Sequence, residues 1–247
     1  MTPPVTVSVV SHGHGGLVSR LLADLTRCPE VYRVLLTLNI PEPQLEVGLP
    51  DCVRILKNSH PKGFGANHNA AFKYCETPFF AVVNPDITME ISVFPELLTS
   101  LSNPGVALCA PSVINVLGAP EDSVRQFPTP VGLLRKALGG HDGRLTYDSK
   151  DRMFCVPWVA GMFMLFHGAD FRDIHGFDED YFLYYEDVDL CARLWKHGRS
   201  VVLCPTVHVT HDARRASRRS LRHMSWHARS MIRFLIKHPR HSFPITE

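Results

Sequence analysis

No apolar run in the sequence approaches the roughly 20 residues that a membrane-spanning helix needs, so an integral α-helical membrane protein is excluded. The start, MTPPVTVSVVSHGHGG, has no basic segment followed by an apolar one; no signal peptide is expected, and a cytoplasmic location is. Cysteine chemistry is also poorly provided for. The seven cysteines (28, 52, 75, 109, 155, 191 and 204) are odd in number and never in Cys-x-x-Cys spacing, which argues against a disulfide framework or a cysteine zinc site. Cys191, in an apolar-periodic stretch, reads as a small core residue. The glycine loop Gly63-Phe64-Gly65-Ala66 lacks the Lys-Ser/Thr of a P-loop and the third glycine of a dinucleotide fingerprint, so ATP hydrolysis and NAD chemistry lose support. There are no internal repeats, and with 20% charged residues the chain is not a disordered one.

What is present suits one α/β unit spanning 1–247: 247 residues, of which 45% are hydrophobic. The net charge of +2 conceals an asymmetry. From His208 onward nine Lys/Arg face two acidic groups, a net of +7, and the preceding residues carry −5. A basic segment over 208–247 on an acidic body suggests contact with something anionic.

Apolar strand patterns at 5–10, 31–39, 52–58 and 79–86 alternate with helical patterns from Leu17 to about Thr26 and after Gly63. That alternation predicts a doubly wound, mostly parallel sheet flanked by helices. In such sheets ligands bind beyond the carboxyl ends of the strands, where Ser11, Asn39, Asn58 and Asp86 fall. The Gly/Pro-rich stretch 115–152 reads as an irregular excursion over the site. A strand-like pattern resumes from Phe154 through VPWVAGMFMLF, a helix from Asp187 to Gly198, a strand through SVVLCPTVHVTH, and a final helix. On that last helix Leu221, Met224, Ala228, Met231 and Leu235 should form an apolar stripe packed on the domain.

Asn84-Pro85-Asp86 closes an apolar strand. A carboxylate there can hold Mg²⁺ or Mn²⁺, with diphosphate oxygens completing the shell, though Asn-Pro-Asp is also ordinary turn chemistry. Gly63, Phe64 and Gly65 before a helix can bring backbone N–H groups to a phosphate, or merely make a tight loop. The sharpest element is Tyr184-Tyr185-Glu186-Asp187-Val188-Asp189. Three carboxylates within four positions repel unless their tasks differ; helix capping is one such task. Asp189 can pair with Arg193 four residues on, which leaves Glu186 and Asp187 at the mouth beside aromatics, where a general base would reach an acceptor hydroxyl. His208 and His211 lack a third local ligand for zinc, but one of them could complete a site with distant Asp86.

The strings WVAGMFMLF, GFDEDYFLYYEDVDLCARLWKHG and a strand ending in His, together with the VSVVS start, GFGANHN and NPD, resemble family-two glycosyltransferases. Within them they are most similar to bacterial rhamnosyltransferase-like members acting on cell-surface polysaccharide. The resemblance covers nearly the whole chain and implies the GT-A fold, a divalent metal and transfer with inversion. It implies Asp86 and His211 as metal ligands, Asp187 as the base with Glu186 beside it, and Ser11, Asn39, Asn58, Gly63, Phe64, Gly65, Asn69, Asn84 and Asp86 on the donor. Trp158, Gly161, Tyr185 and Glu186 fall to the sugar and acceptor pocket.

Two departures stand out. SHGHGG replaces the family's Thr-Tyr-Asn, and Leu38 stands where a carboxylate usually faces the base. The implied donor is dTDP-rhamnose first and a UDP-hexose second, and the acceptor a lipid-linked or oligosaccharide hydroxyl. A catalytically silent scaffold on the same fold is the alternative. No nucleic-acid partner is expected, because the body is acidic and no recognised motif is present. The basic segment, with Arg214, Arg215, Arg218 and Arg219, is expected to touch the inner face of the cytoplasmic membrane.

Overall fold

A computed structural model of the chain describes residues 3–140, 143–145, 147, 153–212 and 221–239. The first half alternates strand and helix: β1 (Val5–Ser11), α1 (Gly16–Thr26), β2 (Val31–Leu38), β3 (Val53–Lys57), α2 (Phe64–Phe72) and β4 (Phe79–Val83). A 3₁₀ turn, Pro43–Leu45, precedes β3. The second half contributes β5 (Ile87–Thr88), α3 (Phe94–Leu101), β6 (Val106–Asn115), β7 (Val124–Arg125), α4 (Pro130–Ala137), β8 (Phe154–Cys155), β9 (Trp158–Val159) and β10 (Phe163–His167). It ends with α5 (Gly168–Asp173), α6 (Glu186–Lys196), β11 (Ser200–His211) and α7 (Leu221–Lys237).

One sheet runs through both halves in the order β3-β2-β1-β4-β10-β6-β11-β5, with β8 also paired to β11. Strands β3, β2, β1 and β4 are mutually parallel; β10 enters antiparallel between β4 and β6. The mostly parallel sheet expected from the alternation is therefore present. Two local differences matter. The strand before Asn-Pro-Asp stops at Val83, and the stretch from Phe154 breaks into β8, β9 and β10 around a turn at Gly161.

Successive residues of a strand point to opposite faces, and the core divides accordingly. Ala81, Val83, Phe163 and Leu165 pack with α1 and α3 on one face. Phe80, Val82, Met164 and Phe166 pack with α5 and α6 on the other. In β1, Val5, Val7 and Val9 take the first face, so Thr6 and Ser8 are buried on the second. Their hydroxyls are satisfied there by Thr77 at 2.7 Å and by His68 Nδ1 at 2.8 Å. Burial holds the His68 imidazole down at about pKa 3, so this core histidine stays neutral.

The apolar stripe expected on α7 is only partly the packed face. Phe234 is fully buried and Leu235 packs beside it, but Met224 is 60% exposed. The buried face runs instead through Ser230, Phe234 and His238. Polar anchoring decides the rotation. Ser230 donates to the Leu183 carbonyl at 3.0 Å, and His238 Nε2 lies 2.8 Å from buried Asp189. Arg214, Arg215, Arg218 and Arg219 lie outside the described residues.

Candidate functional site

Parallel strands β1, β2 and β4 end on one edge, and β11 brings a later segment to the same edge. Its last residue, His211, pairs in register with Ile87 of β5, immediately after Asp86. The ring reaches back, and His211 Nε2 lies 3.2 Å from Asp86 Oδ2. Burial alone would lower the imidazole's pKa, but the hydrogen-bonded Asp86 carboxylate and its charge more than offset this, so His211 is shifted upward. Glu121 and Asp212 add to that acidic field. Asp86 Oδ1 and His211 Nδ1 are both buried without a hydrogen-bond partner among the described residues. An orphaned carboxylate oxygen beside an imidazole is a donor set that suits a divalent cation. Among the described residues no three His, Cys, Asp or Glu converge as a complete protein cage, so such a cation would need ligands from outside the protein.

The Asn84 backbone N–H donates to the Met162 carbonyl at 2.9 Å, which ties the Asn-Pro-Asp turn to the turn at Gly161. Gly161 in turn donates its N–H to Asp187 Oδ2 at 3.0 Å. These two bonds tie the segment that carries Asp86 to the acids at the start of α6. An added Cβ at Gly161 would sit 3.0 Å from the Phe64 ring, so the ring would have to shift to admit a side chain.

Helix α6 begins from an unusual turn. Tyr184 and Tyr185 both adopt left-handed backbone angles, φ 71° and 67°. Such conformations in bulky residues cost on the order of 1–3 kcal/mol each and persist only where the surroundings enforce them. Helix α7 supplies that enforcement. Tyr184 Oη pairs with His223 Nδ1 at 2.9 Å, and the Tyr185 ring packs on His227 and Phe234. Arg233 bridges Asp178 and Asp180. Asp189, wholly buried, gathers Arg193, Lys237 and His238 at 2.7, 2.7 and 2.8 Å. The expected Asp189–Arg193 pair is present, and Arg193 also donates to the carbonyls of Ile174 and Gly176.

This turn gives the adjacent acids different states. Glu186 is 5% exposed, and its Oε2 has no partner among the described residues. Burial, then the neighbouring Asp187 charge, drive its pKa well above the ordinary glutamate value. Asp187 is also raised by burial, but it accepts N–H bonds from Gly161 at 3.0 Å and Val188 at 2.8 Å, which favour its ionised form. Of the two, Asp187 is the one whose ionised form is favoured by backbone N–H bonds from its neighbours.

Both acids line a cleft of ≈ 660 Å³, together with Trp158, Tyr184, Tyr185 and His227. Described parts of 115–152, among them β7 and α4, form its outer wall. Trp158 sits opposite Arg125 in the β7–β9 ladder and donates its indole N–H to the Gln126 carbonyl at 3.1 Å.

The remaining expected donor residues are arranged differently from the sequence reading. The Asn39 Oδ1 accepts from Lys62 N and Asn58 Nδ2, both at 2.8 Å, and Asn58 also donates to Asn67 at 2.6 Å, so these amides lock the strand ends together. Gly63 and Gly65 are needed for packing. An added Cβ would lie 2.6 Å from the Phe182 carbonyl or 2.5 Å from the Phe177 Cβ, and the Phe64 N–H is already given to Phe182 O. Asn69 is engaged elsewhere as well. Its amide clamps Phe177 N and O at 2.9 Å each and Glu179 at 3.0 Å.

Glu42 escaped the sequence reading. This buried carboxylate accepts from Ser11 Oγ at 2.5 Å and from the N–H groups of Gly13 and Gly15 at 2.9 and 3.0 Å, fixing the loop after β1. Burial would raise its pKa, yet these bonds lower it. A lone Glu beside two prolines carries no local signal for such a role.

Comparison with known proteins follows the same lines. The family described as "Glycosyltransferase like family 2" matches residues 42–229. The rhamnosyltransferase WbbL of Escherichia coli (strain K12) is 29% identical over 94% of this chain and 93% of its own length. An N-acetylglucosaminyl-diphospho-decaprenol L-rhamnosyltransferase of Mycobacterium tuberculosis (strain CDC 1551 / Oshkosh) is 29% identical over 98% of this chain and 86% of its own. The solved structure of GalNAc-T7 with UDP, GalNAc and Mn²⁺ shares the fold at TM-score 0.68 and 14% identity; the match covers 86% of this chain and 44% of that longer one.

Proposed function

The chain belongs to the glycosyltransferase-like family 2, with the GT-A fold and hexosyltransferase activity, and on that premise we propose that it transfers L-rhamnose from dTDP-rhamnose to an acceptor hydroxyl with inversion. The acceptor is a saccharide carried on a lipid diphosphate in bacterial surface-polysaccharide assembly, as the name of the mycobacterial relative suggests. The observation that carries the reading is the carboxylate of Asp187. It is aimed by two backbone N–H groups into a cleft wide enough for a saccharide, beside Glu186, whose pKa burial and the Asp187 charge drive well above the ordinary glutamate value.

In the proposed reaction the acceptor hydroxyl gives its proton to Asp187 as its oxygen attacks the anomeric carbon. The bond from that carbon to the nucleotide's diphosphate breaks on the opposite face, so configuration inverts in one displacement with no carboxylate nucleophile. Asp86 and His211 are the residues that would hold Mn²⁺ or Mg²⁺; imidazole among the ligands favours Mn²⁺. When bound, the cation neutralises charge on the departing diphosphate. Trp158 and Tyr185, which line the cleft, would face the sugar, and Gly161 stands beside them through its bond to Asp187.

A donor panel tests this reading. With Mn²⁺ present, dTDP-rhamnose should support transfer to a saccharide-diphosphate-lipid analogue, with UDP-hexoses slower, and the anomeric configuration of the product should be opposite to the donor's. Retention of configuration, or turnover of UDP-hexoses alone, would overturn it.

A further inference from the structure

The polarity of α4 is inverted. On an ordinary surface helix the apolar stripe faces the protein and the charged residues face solvent. Here Leu134 and Leu138 are exposed and do not line the cleft, whereas Arg135 and Lys136 do. Cations in the last turn of a helix also suit its dipole. That effect asks only for their place along the helix, not for a face turned to the cleft.

Their charge is not answered within the protein. Among the described residues no carboxylate pairs with Arg135 or Lys136. The neighbouring charges of the cleft are already engaged. Arg125 is held by Asp122, through its Nε at 2.6 Å, and Asp187 takes its hydrogen bonds from backbone N–H groups. Across the cleft stands His227, on a helix whose sequence contains no acidic residue. Burial, then the charge of Lys136, lower the His227 pKa, so the opposite wall meets the ammonium with a neutral imidazole. By contrast, the α7 cations Arg233 and Lys237 are each paired with aspartate.

A guanidinium and an ammonium side by side suit a diphosphate: the first can give two parallel N–H bonds to phosphate oxygens, and the second adds a point charge. Two diphosphates take part in the proposed reaction. The donor's is served elsewhere, because Asp86 and His211, which would hold the cation, do not line this cleft. Asp187 does line it, and in a single displacement the base and the acceptor stand opposite the leaving group. Arg135 and Lys136 therefore share the acceptor's side.

We propose that Arg135 and Lys136 form a subsite for the acceptor's diphosphate, holding the lipid-linked saccharide by its anionic link while its hydroxyl is presented to Asp187. The proposal rests on the reading that the acceptor is carried on a lipid diphosphate.

The test uses the full chain, with a short-chain alkyl diphosphate as the probe and EDTA present to keep divalent cations from Asp86 and His211. In calorimetry the wild type should bind the probe, and Arg135→Gln/Lys136→Gln should weaken binding at least about tenfold through loss of charge-assisted bonds. The exchange Arg135→Lys/Lys136→Arg, which keeps both charges, should stay within about threefold of the wild type. Binding of dTDP with Mn²⁺ should be the same in all three proteins. No wild-type binding of the probe, or equal binding by the glutamine variant, would overturn the proposal. A tenfold loss of dTDP affinity in that variant, with the probe unmoved, would assign the pair to the donor and overturn it too. Transfer from dTDP-rhamnose gives a second readout, using a saccharide-diphosphate-alkyl acceptor and the alkyl glycoside of the same saccharide. The ratio of kcat/KM for the first to that for the second should fall at least about tenfold in the glutamine variant, through KM rather than kcat; an unchanged ratio would count against the subsite. A wild type that transfers to neither acceptor would count against the functional reading, and the calorimetry would still decide the subsite.

Discussion

Substituting each member of the adjacent acid pair separately should give opposite outcomes. Asp187→Asn removes the proton acceptor while preserving size, and its remaining carbonyl oxygen can keep one of the two N–H bonds from Gly161 and Val188. Loss of a general base costs about 10²–10⁴ in rate, which at about 1.4 kcal/mol per decade is roughly 3–5 kcal/mol of barrier. Glu186→Gln changes little, because the raised Glu186 pKa favours the uncharged acid, which a glutamine nearly matches in shape and charge. Turnover in that variant should stay within a few-fold. The pH dependence follows the same assignment. The Asp187 pKa is raised, so kcat should fall with acidification at a pH above the ordinary aspartate range, and Glu186→Gln should leave that limb in place. Single-turnover transfer with saturating donor, measured across pH, reads both quantities. A folded Asp187→Asn enzyme with near-wild-type turnover, or a Glu186→Gln enzyme that loses two decades, would refute the division of roles.

Three further outcomes are expected. Asp86→Ala should abolish, and His211→Ala weaken, the Mn²⁺-dependent component of dTDP-sugar binding in calorimetry; unchanged binding in Asp86→Ala would reduce Asn84-Pro85-Asp86 to a turn. Gly65→Ala should destabilise the fold by about 1–3 kcal/mol in urea unfolding, because its Cβ would lie 2.5 Å from the Phe177 Cβ, and a neutral result would dismiss the packing account. Asp189→Asn should cost about 3–5 kcal/mol, since it leaves cationic partners around a wholly buried position. The Asp189 pKa is lowered on folding, so its contribution is complete above the unfolded value near 3.8 and is lost as pH falls toward the folded value. The urea midpoints of wild type and Asp189→Asn should therefore converge in strong acid.

Much of the sheet was legible because β4 reads as a continuous apolar run and β1 and β2 are rich in Val and Leu. The acid cluster was legible too, because three carboxylates in four positions need an explanation even before a fold is known. What escaped depends on contacts distant in sequence. The Glu42 carboxylate finds Ser11 across 31 residues, and the Asn69 amide finds Phe177 across 108. The face of α7 was misjudged because hydrophobicity alone was used to orient it, whereas Ser230 and His238 are held inward by the Leu183 carbonyl and Asp189. The left-handed tyrosines have no sequence signature at all, since glycine or asparagine is the usual occupant of such a backbone.

That tyrosine turn also bears on the order in which the protein is made. Its supports lie well downstream: His223 is 39 residues beyond Tyr184, Ser230 is 47 beyond Leu183, and His238 is 49 beyond Asp189. A ribosome delivers β1, β2, β4 and the acid pair before it delivers any of them, and a domain generally folds as a unit. The turn that sets Asp187 therefore lacks the helix that holds it until α7 has been made. Catalytic competence would then arrive with α7 as a late step of synthesis, and a nascent chain that has not yet emitted that helix would remain chemically silent.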